Sequence, residues 1–117
     1  MYITGFVVPV PEANKDAYED LAHRFWKLAQ EFGATGQTEC WEVDVPDGKT
    51  TDMRRAVKAE AGEKIVFSWV TWPDQETAKA AETKMMEDPR MQELGEMPFD
   101  GSRMIMGGFD PYIRLGV

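Results

Sequence analysis

Two stretches of the chain carry apolar side chains on both alternating faces. Tyr2 to Val10, YITGFVVPV, and Lys64 to Trp72, KIVFSWVTW, are rich in aromatic and β-branched residues, the composition of strands covered on both sides. In the second, Ile65, Phe67 and Trp69 point one way while Val66, Val70 and Trp72 point the other. Gln37 to Val45 alternates around Cys40, Trp41 and Val43 as a further strand, which Val45-Pro46-Asp47-Gly48 should stop as a turn. Arg103 to Arg114, RMIMGGFDPYIR, reads as the last strand, bent or bulged where Gly107 and Gly108 remove side chains.

Between the strands the period changes to that of a helix. Tyr18, Leu21, Ala22, Phe25, Leu28, Ala29 and Phe32 recur at three- and four-residue steps after a start at Pro11 to Asn14, and Gly33 supplies the stop. Asp74 caps a second helix through Ala78, Ala81 and Met85, which Pro89 interrupts before a short turn around Met91 and Leu94. Thr50 to Gly62 is longer than a hairpin needs; Met53, Ala56 and Val57 with Asp52 as cap give it one short helix. The order βαββαβ predicts an α+β, ferredoxin-like fold, a four-stranded antiparallel sheet with both helices on one face. Strands that are apolar on both faces then leave one apolar sheet face without a cover. A homodimer packing sheet to sheet is the economical remedy.

Length and charge narrow the picture further. The 117 residues suit one domain spanning 1–117. Thirteen basic against twenty-one acidic residues give a net charge of −8, which argues against nucleic acid and anionic lipid as partners. Arg54, Arg55 and Lys58 form a local basic cluster that reads as a solvated face. The opening residues have neither the basic start nor the apolar length of a signal or membrane segment. One cysteine excludes an intrachain disulfide and fits a cytoplasmic setting.

The strings YITGFVVPVP, ECWEVDVPDGK, RAVKAEAGEKIVFSWVTWPD and MPFDGSRMIMGGF, in this order over nearly the whole chain, resemble the domain of unknown function family 1428, small bacterial proteins. The acidic-Pro-Asp-Gly turn and the Gly-Gly-Phe near the end belong to that pattern. The resemblance implies the dimeric α/β barrel superfamily, in which two ferredoxin-like protomers join their sheets. It brings no catalytic residues with it.

Chemistry must therefore be sought residue by residue. Cys40 lies between the acids Glu39 and Glu42, surroundings that disfavour a thiolate. His23 falls about 140° around the helix from Tyr18, facing solvent or a subunit partner rather than Cys40. One cysteine and one histidine make no structural zinc set, and Asp44 and Asp47 suit a turn better than a calcium loop. No phosphate-binding or dinucleotide fingerprint is present, so neither metal nor cofactor is expected. What remains is a lining of Phe6, Trp41, Trp69 and Met104 with Glu39, Ser68 and Arg103 on neighbouring strands, an apolar pocket with a few polar anchors. Glu39 beside a tryptophan is the candidate acid or base, with Arg103 as its counter-charge.

The expected function is the binding of a small organic molecule by a homodimer, near the sheet. One alternative is a cofactor-independent enzyme of the monooxygenase or isomerase type, as the superfamily resemblance implies. A structural or interaction role, with the interior filled by side chains, is the other. Fold alone does not choose among them.

Overall fold

A computed structural model describes residues 1–116 of the chain. Its centre is the antiparallel pair β1 (Tyr2–Pro11) and β3 (Glu63–Trp72), ten residues each and in register along their full length, from Tyr2 opposite Trp72 to Pro11 opposite Glu63. β2 (Gly36–Trp41) flanks β3 and β4 (Ile105–Phe109) flanks β1, so the sheet order is β2-β3-β1-β4 with all neighbours antiparallel. Two split βαβ units produce this order, and it is the ferredoxin-like arrangement expected from the pattern.

α1 (Lys15–Glu31) and α3 (Gln75–Glu87) cover one face. Leu28 and Ala29 from α1 and Ala78, Ala81 and Met85 from α3 pack on Val70 and Trp72. The Trp72 indole N–H donates to Thr4 Oγ1 at 3.1 Å, which satisfies the one polar atom this residue brings inside. Val10, Ile65 and Val66 are at most 1 % exposed, and burial of such a side chain contributes about 1.5–3 kcal/mol.

The helix ends follow local chemistry. α1 is preceded by a 3-10 turn over Glu12–Asn14 and closes on Gly33. Gly33 has φ 113°; its N–H reaches Gln30 O and the Ala34 N–H reaches Ala29 O, the paired bonds of a Schellman stop. Aspartates start four elements: Asp52 caps α2 (Met53–Ala56), Asp74 caps α3, Asp88 caps α4 (Pro89–Glu93), and Asp100 caps a 3-10 turn at Gly101–Arg103. In each, the carboxylate accepts a backbone N–H that the helix cannot satisfy. Pro89 sits in the first turn of α4, where its missing N–H costs nothing.

Beyond one-residue shifts at strand ends, the structure departs from the pattern in three places. β2 ends at Trp41 rather than Val45 because Glu42 closes the ladder with its side chain, Oε1 accepting the Ile65 N–H at 2.8 Å. β4 spans five residues, and Asp110–Gly116 forms no regular element. Gly107 and Gly108 do not make a bulge, since their pairing with Gly5 and Thr4 is unbroken. Gly108 gives clearance instead: a Cβ there would lie 1.6 Å from the Tyr2 hydroxyl.

The basic cluster is likewise not a free solvated face. Arg54 donates to Glu42 Oε1 and to the carbonyls of Glu60 and Glu63, and Arg55 pairs with Asp52 at 2.8 Å. Both arginines fasten the segment joining β2 to β3. Val45 and Met53 from that segment lie beside Ile65 at one end of the second sheet face. The remainder of that face, with Ile3, Val7, Phe67, Trp69, Ile105 and Phe109, has no cover among the described residues, and Phe67 is 48 % exposed. No helix among the described residues is long and apolar enough to cross a membrane.

Candidate functional site

The period of two in β2 places Gln37, Glu39 and Trp41 on the helix-covered face, with Glu39 directly opposite Ser68 of β3. α1 crosses above them and brings Tyr18 down onto Glu39. The Tyr18 hydroxyl donates to Glu39 Oε1 at 2.6 Å, and Gln37 Nε2 donates to Glu39 Oε2 at 3.2 Å and to Ala22 O at 3.3 Å. Gln37 Oε1 is buried and has no partner.

This polar group stands between two spaces. On the edge side, a groove of about 620 Å³ runs between α1 and β2, walled by Trp26 and Trp41, with Lys15, Glu19 and His23 at its rim. On the inner side, a chamber of about 180 Å³ is lined by apolar side chains, among them Phe6, Phe25, Phe99 and Met104. Tyr18, Ala22, Gln37 and Glu39 border both. The Lys15 ammonium lies 5.0 Å from the centre of the Trp41 ring, a cation–π contact at the groove mouth.

Electrostatics give the two central groups different tasks. Glu39 keeps solvent contact along the groove, yet the packed atoms on its other side raise its pKa above the ordinary carboxylate value; hydrogen bonds from Tyr18, Gln37 and Ser68 work in the opposite direction. Burial first, and then the bond to Glu39 and its charge, push the Tyr18 phenol well above its usual range. Tyr18 therefore stays a donor, and of the two Glu39 is the group that can give up or take a proton.

Of the residues singled out in the sequence, Glu39, Trp41, Ser68 and Met104 border these spaces. Trp69 does not. It points to the opposite sheet face, against Phe67 at 5.7 Å between ring centres. Arg103 is not the counter-charge of Glu39 either. It forms a two-pronged pair with Glu63, 2.7 Å for each prong, and also holds Asp100 at 3.0 Å and Lys58 O at 2.9 Å. Cys40 is half-buried on the second face, and His23 is exposed with Glu19 at 3.9 Å. Tyr18 and Gln37 are the residues of the cleft that the pattern missed. Tyr18 counted as part of the apolar stripe of α1, and the only local signal for Gln37 was its position two residues before Glu39 on one strand face.

A second hollow of about 360 Å³ lies between α3 and the β1–β4 side of the sheet. Of its polar residues, Thr4 is already bonded to Trp72, and Lys79 and Glu82 are exposed on α3. The Tyr18–Glu39 cleft is thus the candidate site.

The family model described as "Protein of unknown function (DUF1428)" matches residues 1–101. The chain belongs to this family. It is 58 % identical over 113 residues to the uncharacterized protein YbaA of Escherichia coli strain K12, covering 96 % of this chain and 97 % of the relative. The YbaA proteins of Escherichia coli O157:H7 and Shigella flexneri match with the same identity and coverage. The family resemblance read from the four strings is borne out, and the DUF1428 match takes in the residues of the cleft named above except Met104.

The Arg103–Glu63 pair is closed off, its side chains 16 % and 6 % exposed. Removing one partner of such a pair leaves the other charge without its counter-ion. Arg103→Met should destabilise the fold at pH 7. Arg103 holds the Glu63 carboxyl below its usual value, so this stabilisation is complete above the unfolded value of about 4.3 and is lost as pH falls through the lower folded value. Urea unfolding of wild type and Arg103→Met between pH 7 and pH 3 checks it. The stability gap should narrow on acidification, and a gap independent of pH would contradict the assignment.

Proposed function

We propose that the protein binds a small organic molecule in the cleft between α1 and the sheet, with Glu39, Tyr18 and Gln37 as its polar anchors. The observation that carries this reading is the unpartnered Gln37 Oε1, buried beside a carboxylate where an apolar chamber meets an open groove. A buried polar atom without a partner costs about 1–3 kcal/mol, and a donor supplied by a ligand relieves that cost. An apolar lining with a few convergent polar groups is the usual make-up of a ligand site.

Cofactor-independent catalysis is the second reading. The raised pKa of Glu39, next to a phenol that keeps its proton, favours it: a base and a hydrogen-bond donor side by side suit proton transfer at carbon. We further propose that two copies pack through their second sheet faces in a cytoplasmic homodimer. Among the strand positions on that face Glu63 alone is charged, and Arg103 neutralises it. In a chain of net charge −8, such a surface suits a second copy of itself.

A thermal-shift screen of wild type against a metabolite library tests the binding reading. A ligand at a hundred times its Kd adds about 2.7 kcal/mol to stability, and that shift should disappear in Glu39→Gln. Hits equally strong in Glu39→Gln and Tyr18→Phe would remove the cleft as the site. With a hit in hand, turnover lost in Glu39→Gln even at concentrations high enough to restore occupancy would establish catalysis; unchanged turnover would exclude Glu39 as acid or base. For the assembly, light scattering at micromolar concentration should give twice the chain mass, and Phe67→Glu should halve it. A wild-type monomer would overturn the dimer.

A further inference from the structure

The hydrogen-bond inventory of the cleft is one-sided. The Tyr18 O–H is spent on Glu39, and both hydrogens of Gln37 Nε2 have acceptors, Ala22 O and Glu39 Oε2. Turning the amide round would set its oxygen against those same acceptors, so the orientation follows from the contacts. Ser68 lies close enough to Tyr18 and Glu39 to favour the ionised form of each, the effect of a donor turned toward them. What remains unfilled is acceptor capacity: Gln37 Oε1, and at least one of the four lone-pair positions of a carboxylate whose donors are Tyr18, Gln37 and Ser68. A ligand here must donate.

Charge narrows the class further. A neutral alcohol would satisfy Gln37 Oε1 but leave the Glu39 charge facing an apolar chamber. A carboxylate would set acceptors against acceptors. An ammonium has three donors and one positive charge, and so answers both needs. The groove outside is suited to admit a cation. Its walls are Trp26 and Trp41, Glu19 stands on its rim, and the Lys15 ammonium already rests on the Trp41 face. The cations at that mouth are Lys15, over Trp41, and the ring of His23 when protonated, beside Glu19; neither is bonded to Glu39. The chamber behind, about 180 Å³, is large enough for one ring, since a cavity of about 150 Å³ holds benzene.

We propose that the cleft takes an organic primary ammonium on a small flat apolar body. Its N–H groups lie on Glu39 and Gln37 Oε1, and its body lies in the chamber bordered by Phe6, Phe25, Phe99 and Met104. This rests on the reading of the cleft as a small-molecule site and specifies the ligand class.

The test is an NMR titration of the wild-type protein at pH 7 with three probes of one shape: 2-phenylethylamine, 2-phenylethanol and phenylacetate. The amine should shift the Gln37 side-chain amide and the resonances around Glu39, and should bind about tenfold or more tightly than either of the others. Glu39→Gln should remove that preference. Cys40→Ser, on the opposite sheet face, should retain it. Equal or tighter binding of the alcohol or the acid at these same residues would overturn the ammonium class and leave the cleft standing as a binding site. Shifts confined to the second sheet face, or no shift with any probe, would overturn the ammonium assignment as well; the library screen then decides separately whether the cleft binds anything.

Discussion

Everything in this protein is hung on the ten-residue antiparallel pairing of β1 with β3. A strand has a period of two, so one register decision sends Val66, Ser68, Val70 and Trp72 toward the helices and Ile65, Phe67, Trp69 and Thr71 away from them. A slip of one residue would exchange the two sets and put Ser68 where Phe67 now stands. β2 inherits its register from β3, and with it the side on which Glu39 emerges. The site and the bare sheet face are therefore two consequences of the same alternation.

The acidic excess of the chain is distributed by local tasks. Asp52, Asp74, Asp88 and Asp100 each begin a helical element, Glu42 ends a strand, and Glu63 is locked to Arg103. Once these are set aside, Glu39 stands out as a carboxylate between helix and sheet whose partners are a phenol and an amide rather than a cation. Such an arrangement holds a charge in place without neutralising it. That is a poor design for stability alone, because the burial cost is only partly offset. It is a reasonable one for a group that must meet something from outside.

The strands, the two main helices and their placement on one face were legible because they rest on periodicity and on punctuation such as Gly33, Asp74 and Pro89. Glu39 was legible as a carboxylate on a strand beside Trp41. Its partners were not. Tyr18 occupies a position of the α1 stripe that any apolar residue would satisfy, and only the crossing of α1 over β2 turns its hydroxyl onto Glu39. Arg103 had several carboxylates within conceivable reach, and the three-dimensional path after α4 delivers it to Glu63, 40 residues away, rather than to Glu39. The early end of β2 came from a side chain replacing a backbone acceptor, which no hydrophobic pattern encodes. Trp69 falls outside the cleft for a simpler reason: a lining that joins Ser68 with Trp69 mixes even and odd positions of β3, which face opposite sides of the sheet.

The central claim is that Glu39 is held in a partly dry setting by donors that only partly compensate for its burial. A carbon-13 NMR titration of the Glu39 carboxyl, in wild type and in Tyr18→Phe, measures this directly. The account predicts a wild-type midpoint above the ordinary value of about 4.3 and a further rise when the Tyr18 donor is removed. A wild-type midpoint at or below that value, or one that falls in Tyr18→Phe, would contradict it.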